Sequence, residues 1–110
     1  MVFRSRKLLM LRVADLELDP VTRRVRRGSK DIELTPDEYR LLEFLVRHAG
    51  MAVPKAAVLI EMWGADCEIS ERILENVISR LRNRIDRGVR QTLVHTHRGL
   101  GYSVRKRSSR

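Results

Sequence analysis

Polar side chains that donate hydrogen bonds recur at helical spacing between residues 70 and 87 of this 110-residue chain. Every lysine or arginine in the stretch 69–104 is an arginine, the side chain best suited to phosphates and guanine edges. The candidate contact residues of this stretch are Arg72, Asn76, Ser79, Arg80, Arg82 and Asn83. Their chemistry predicts a surface that binds a polyanion.

A second candidate contact lies in the segment from His97 to Gly101, which reads His-Arg-Gly-Leu-Gly. Strand-forming stretches precede and follow it, so we expect a β-hairpin whose tip exposes Arg98 and Gly99. Glycines at this spacing also occur where a backbone cradles a phosphate. A dinucleotide-binding fingerprint needs a third glycine and a following helix, and this sequence offers neither. The hairpin tip therefore accounts better for both glycines.

The charge distribution indicates one basic face. The chain has 23 Lys and Arg residues against 14 Asp and Glu, a formal net charge of +9. The stretches 1–30 and 69–110 are basic, whereas 31–68 is acidic. This asymmetry favours a polyanion bound on one side, although charge alone does not separate DNA from RNA or from an anionic membrane.

Composition excludes several classes of protein. With 43% apolar residues the chain is not a disordered basic tail, and no apolar run reaches the ~18 residues of a membrane span. Cys67 is the only cysteine, so we expect a cytoplasmic location, no disulfide and no zinc-finger framework. No spacing resembles a metal site, a Ser/His/Asp triad or a carboxylate pair, so we expect no cofactor and no enzyme activity.

The elements that carry these side chains begin with short strands. Alternating apolar residues over 11–18, with a break near 14–15, are typical of strands. The stretches 22–27 and 30–34 flank Gly28-Ser29, which indicates a hairpin. We therefore expect a small antiparallel sheet of three or four strands.

Two helices are expected after the sheet. Thr35-Pro36 followed by Glu38 predicts a capping box with proline at the first helical position. An apolar stripe follows, and Gly50 is expected to end that helix. The stripe consists of Leu41, Leu42, Leu45 and Val46. The stretch 55–63 predicts a shorter helix. Its expected inward residues are Ala57, Leu59 or Ile60, and Trp63.

A third helix is predicted from Ser70 to Arg87, followed by strands over Gln91–Thr96 and around Tyr102. At 100° per residue its apolar side chains share one face, opposite most of the polar candidates. These apolar residues are Leu74, Val77, Ile78, Leu81 and Ile85. The predicted fold class is α+β, a winged helix-turn-helix with an N-terminal antiparallel sheet, three helices and a C-terminal hairpin wing.

Four motifs within residues 11–104 carry a resemblance to a known family. They are Leu34-Thr35-Pro36 with Glu38, Leu41-Leu42 and Leu45; Val53 through Trp63-Gly64; Ile78-Ser79-Arg80-Leu81-Arg82; and His95-Thr96-His97-Arg98-Gly99-Leu100-Gly101-Tyr102. In this order and spacing they resemble the effector domain of the OmpR/PhoB family of bacterial two-component response regulators. The resemblance implies sequence-specific binding to double-stranded DNA, with helix 70–87 in the major groove and hairpin tip 97–101 in the minor groove.

The resemblance also implies roles for single residues of the third helix. Arg80 matches a position that reaches bases. Arg72, Ser79 and Arg82 match positions near bases or phosphates. Val77 departs from the family pattern because many members carry histidine there.

For the wing, Thr96 matches a residue at the DNA backbone and Arg98 matches the arginine that enters the minor groove. Tyr102 matches a position that supports the wing. Asn83 and His97 depart from the family pattern, in which a basic residue and valine are usual.

Partners and boundaries also follow from the resemblance. It implies an N-terminal receiver domain absent from this chain, a sensor kinase, a direct-repeat operator, and RNA polymerase at the Gly64–Ser70 loop. Residues 1–10 would then be a leader or linker remnant, 11–106 the DNA-binding domain, and 107–110 a basic tail.

Two alternative functions remain open from the residues alone. An RNA-binding α+β module would stack bases on exposed aromatic side chains, yet the chain has only one Trp, two Tyr and two Phe. A protein-interaction winged helix would present apolar or acidic residues on the open side of its third helix. That side instead carries arginine, asparagine and serine.

Overall fold

The computed structural model describes residues 9–65 and 71–106. Most of the expected leader 1–10, the tail 107–110, and the helix start at Ser70 lie outside these ranges. So do Cys67 and most of the Gly64–Ser70 loop.

The chain opens with a four-stranded antiparallel sheet in the order β1-β2-β3-β4. Its strands are β1 (Leu11–Val13), β2 (Leu16–Asp19), β3 (Arg24–Arg27) and β4 (Lys30–Ile32). Leu18 lies opposite Val25, which in turn lies opposite Ile32, so one face of the sheet is apolar. The break near 14–15 is confirmed as the turn between β1 and β2.

Helix α1 (Pro36–Arg47) begins with the expected capping box. The Thr35 hydroxyl accepts a hydrogen bond from the Glu38 amide at 3.2 Å, and the Glu38 carboxylate accepts one from the Thr35 amide at 3.0 Å. The expected stripe from Leu41 to Val46 is buried. The helix ends at Arg47, and Gly50 (φ +89°) lies in the following turn.

Strand β5 (Val53–Pro54) leads directly into helix α2 (Lys55–Trp63), whose bounds match the prediction. Its buried side chains are Val58 and Met62, neither of which is among the expected inward residues. Ala57, Leu59 and Trp63 are partly buried against the core, whereas Ile60 is exposed. The residues of this helix are apolar on most of its sides, so their periodicity does not indicate which of them face the core.

Helix α3 (Glu71–Asp86) is followed by strands β6 (Val94–His97) and β7 (Gly101–Val104). The two strands form a hairpin, and β5 pairs with the other edge of β7, which gives a three-stranded sheet in the order β5-β7-β6. Strand β6 begins later than the expected Gln91. The segment before β6 is held instead by hydrogen bonds to side chains of β3 and α3.

One apolar core joins all these elements. Helix α1 packs against α3, α2 and β7, and it also touches the N-terminal sheet through β1. The fully buried leucines of this core are Leu16, Leu18, Leu41, Leu42, Leu45, Leu74, Leu81 and Leu93. The core thereby fixes α3 and the wing hairpin relative to each other.

Candidate nucleic-acid interface

Helix α3 has one packed face and one open face, as its sequence predicts. All five side chains of the expected apolar stripe are buried. The exposed candidates on the open face are Arg72, Asn76, Ser79, Arg80 and Asn83. The structure therefore places five of the six α3 candidates on one solvent-facing surface.

A buried carboxylate lies beneath this surface. Glu38, in the first turn of α1, is 0% exposed. Its Oε2 lies 3.3 Å from Arg80 Nε, and its Oε1 lies 3.0 Å from Arg84 Nε. These contacts use the Nε atoms, and the two arginine side chains remain 53% and 47% exposed. Glu38 thus anchors both arginines while a large part of each stays accessible to a ligand.

Arg82, the sixth α3 candidate, faces the wing. Its Nε donates to the carbonyl oxygen of Val94 at 3.3 Å, and its Nη2 donates to the Thr96 hydroxyl at 2.6 Å. Arg82 is half-buried, whereas Thr96 is exposed. Two candidates that lie apart in the sequence are therefore in direct contact, and their contact joins α3 to strand β6.

The wing tip is exposed and tied to the start of α2. Arg98, Gly99 and Leu100 are all exposed, and Gly99 has the positive φ of +75° that the turn requires. The Leu100 amide donates to the His97 carbonyl at 2.8 Å, which closes the turn. The Lys55 amide donates to the Leu100 carbonyl at 3.0 Å. These bonds place Arg98 at the end of a hairpin with a defined position.

Strand β7 supports the wing from its centre. Tyr102 is buried and lies between Val53 of β5 and Thr96 of β6. Burial and the nearby charge of Glu75 raise the pKa of the Tyr102 hydroxyl above its ordinary value. The phenol therefore stays neutral and contributes to packing rather than to the charge of the surface.

Sequence reasoning missed three features of this region. Arg27 and Asp86 form a buried ion pair, with Arg27 Nη1 at 2.9 Å from Asp86 Oδ1. One signal was available, since Arg27 stands two positions after buried Val25 and so shares its face of β3. Glu38 was expected only as a helix cap. Ile73 is 42% exposed on α3, and its apolar type outside the stripe could have identified it.

Among residues 9–65 and 71–106, no group of three or more His, Cys, Asp or Glu side chains could hold a metal ion. Over the same described ranges, no helix is long and apolar enough to cross a membrane.

Comparisons with known proteins agree with this geometry. The profile of a family described as "Transcriptional regulatory protein, C terminal" matches residues 29–104. Response regulator MprA of Mycobacterium tuberculosis is 39% identical over 98 residues, which cover 89% of this chain and 43% of the relative. The chain thus spans less than half the length of this curated relative.

Solved structures show the same winged-helix architecture. The Klebsiella pneumoniae RstA DNA-binding domain, solved in complex with the RstA box, has a TM-score of 0.77 and 27% identity, covering 87% of this chain and 96% of that one. DrrB, a Thermotoga maritima OmpR/PhoB homologue, has a TM-score of 0.78 and 26% identity, covering 94% of this chain and 51% of that one.

Proposed function

This chain belongs to the C-terminal domain family of transcriptional regulatory proteins and is an OmpR/PhoB-type DNA-binding effector domain. From this premise we propose that helix α3 lies in the major groove of double-stranded DNA and that the wing tip 97–101 enters the adjacent minor groove. The observation that carries this proposal is the 2.6 Å contact between Arg82 and Thr96. This contact supports a single continuous surface formed by the helix face and the wing, since both must contact the same DNA duplex.

Within this arrangement each candidate has a distinct role. Arg80 contacts base edges, with its Nε held by Glu38. Arg72, Asn76, Ser79 and Asn83 line the same groove, near bases or phosphates. Arg82 and Thr96 sit together at the DNA backbone, and Arg98 with Gly99 forms the minor-groove contact. The exposed apolar side chain of Ile73 suits the methyl group of thymine, the apolar feature of the major groove.

The alternatives are less well supported. Tyr39 and Tyr102 are buried, and Phe44 and Trp63 pack against the core, so the described part of the chain offers no aromatic platform for stacking RNA bases. Apart from Ile73, the open face of α3 is lined by the polar and cationic candidates, which disfavours a winged helix that only binds protein.

The wider assembly belongs to the same proposal. A receiver domain precedes this domain in the full-length regulator, and a sensor kinase phosphorylates that receiver domain. The operator is a direct repeat with half-sites about 10–11 bp apart, so that two domains face one side of the duplex. The Gly64–Ser70 loop contacts RNA polymerase, and the regulator acts in the cytoplasm.

Duplex binding is tested by measuring fluorescence anisotropy against salt concentration, with duplexes selected from a random pool by this chain. Since arginines displace counterions from phosphates, log affinity should fall against log salt with a slope of about −0.9 for each phosphate contacted. Single-stranded RNA of the same sequence is the control and should bind more weakly. A salt-independent complex, or a preference for the RNA, would contradict the proposal.

Arg80 and Arg98 are expected to differ in what they recognise. Arg80→Ala should lose about 1–3 kcal/mol of discrimination at one or two base pairs, because an arginine forms a bidentate contact with guanine. Arg98→Ala should weaken binding to many sequences, most strongly beside A·T-rich flanks where the minor groove is narrow. The measurement is affinity for the best site, for single-base variants, and for a site with a G·C flank.

Arg84→Ala is the matched control for Arg80→Ala. Both arginines contact the Glu38 carboxylate and both are about half exposed, so loss of either ion pair should lower the melting temperature to a similar, small extent. Base preference should change only in Arg80→Ala.

The comparison of Arg80→Ala with Arg98→Ala has its own contradicting outcome. Equal losses of affinity for the best site, for its single-base variants and for the site with a G·C flank would refute the assignment of helix and wing to separate grooves.

A further inference from the structure

A buried arginine connects the N-terminal sheet to the base of the wing. Arg27, the last residue of β3, is almost fully buried. Its Nε donates to Asp15 Oδ1 at 2.7 Å, and its Nη1 donates to the Ile85 carbonyl and to Asp86 Oδ1, both at 2.9 Å. Its Nη2 donates to the Gln91 carbonyl. The planar guanidinium therefore spans from the sheet to the end of α3 and to the segment beyond it.

Asp86 continues this connection into the wing. It is the last residue of α3, and its carboxylate is also buried. Its Oδ1 accepts a hydrogen bond from the Leu93 amide at 2.9 Å, and its Oδ2 accepts one from the Val94 amide at 3.1 Å. Val94 is the first residue of β6. The start of the wing is thus attached, through two carboxylate oxygens and one guanidinium, to a strand of the other sheet.

The chemistry of this pair suits positioning better than simple stabilisation. A buried ion pair often adds no more stability than apolar residues of the same volume. The pair instead defines geometry, because the planar guanidinium fixes the angle and distance of each acceptor that it hydrogen-bonds. An acidic side chain at a helix C-terminus is also unfavourable towards the helix dipole. Its presence there is accounted for by the two wing amides and the arginine that it contacts.

We propose that Arg27 is a positioning residue for DNA binding, which holds the start of the wing at a fixed place relative to α3. This inference rests on the proposed function of the wing. Arg82 holds the side of β6 that faces α3, and Arg27 holds its starting end through Asp86. The N-terminal sheet is then part of the DNA-binding machinery, since it sets where Arg98 meets the minor groove.

The test replaces both charges of the buried pair. In Arg27→Met/Asp86→Asn no charge is left buried, and the amide oxygen introduced at position 86 still accepts a bond from a wing amide. The matched control is Arg26→Met/Asp31→Asn, which removes an exposed ion pair of 3.3 Å from the same sheet. Arg27→Lys is a second, milder variant that keeps the charge opposite Asp86 but loses the fork.

Affinity is measured for A·T-flanked and G·C-flanked duplexes selected by the wild-type chain, with and without Arg98→Ala. We expect Arg98→Ala to cost about tenfold in the wild-type and control backgrounds, as loss of a charged contact does. In the Arg27→Met/Asp86→Asn background it should cost less than about twofold, because a displaced wing has little contact left to lose. Arg27→Lys should lie between them. A tenfold cost in every background would overturn the inference.

Amide hydrogen exchange of the free chain separates this inference from the proposed function. Below the melting temperature, exchange of the Leu93 and β6 amides should accelerate in both Arg27 variants and stay unchanged in the control. Unchanged exchange in the Arg27 variants would show that Arg27 does not hold the wing. If the wild-type chain selects no duplex, the proposed function fails, whereas the exchange result still decides the role of Arg27.

Discussion

We expect Gly101→Ala to lower the free energy of unfolding by about 3 kcal/mol or more, the upper range for an overpacked site. A Cβ at Gly101 would lie 1.8 Å from the Val53 carbonyl oxygen and 2.9 Å from Pro54 Cα. Both are backbone atoms, so no side-chain rotation relieves the clash. Strand β7 must move away from β5, and the wing moves with it. At about 4–8 °C per kcal/mol, the melting temperature should fall by at least about 12 °C.

Gly99→Ala is the matched control at the same hairpin. Nothing lies within 4 Å of a Cβ at Gly99, and only its positive φ of +75° opposes the substitution. A left-handed backbone costs an alanine about 1–2 kcal/mol, so the melting temperature should fall less than in Gly101→Ala. Thermal unfolding followed by circular dichroism checks both variants. Equal melting temperatures would mean that β7 does not approach β5 this closely.

Arg27→Met is expected to destabilise the domain by about 3–5 kcal/mol, because it leaves the Asp86 carboxylate buried without a cation. Adding Asp86→Asn should recover much of this loss, since the double variant no longer buries a lone charge. Urea unfolding of both single variants and of the double variant measures the coupling between the two side chains.

The exposed pair Arg26 and Asp31 is the control for this cycle. Double-variant cycles of exposed ion pairs give about 0.2–1 kcal/mol, so the coupling there should be several-fold smaller than between Arg27 and Asp86. If the losses of unfolding free energy for Arg27→Met and Asp86→Asn simply add, the two side chains act independently, which would contradict their 2.9 Å contact.

Arg80 has a structural role beside its proposed role in recognition, because it forms an ion pair with buried Glu38. Arg84 and the Thr35 amide still contact the carboxylate when Arg80 is removed. We therefore expect Arg80→Ala to cause a small loss of stability beside the loss of base discrimination.

Local features of this protein were determined by its sequence alone. The capping box at Thr35 and Glu38, the turn at Gly28 and the apolar stripe of α3 each depend on residues within a few positions of one another. Backbone dihedral preferences, cap geometry and the 3.6-residue period act over that range. The open face of α3 and the arginine at the hairpin tip were predictable for the same reason, and they predict a polyanion as the ligand.

Only the tertiary structure decided which distant groups meet. Glu38 contacts Arg80 at a separation of 42 residues, and Arg27 contacts Asp86 at a separation of 59. Gly101 looked like a second turn glycine, but its lack of a side chain is needed where β7 crosses the backbone of Val53. Such requirements depend on how sheets and helices pack, and no local period or propensity encodes them, because the chain must fold before these atoms come within reach.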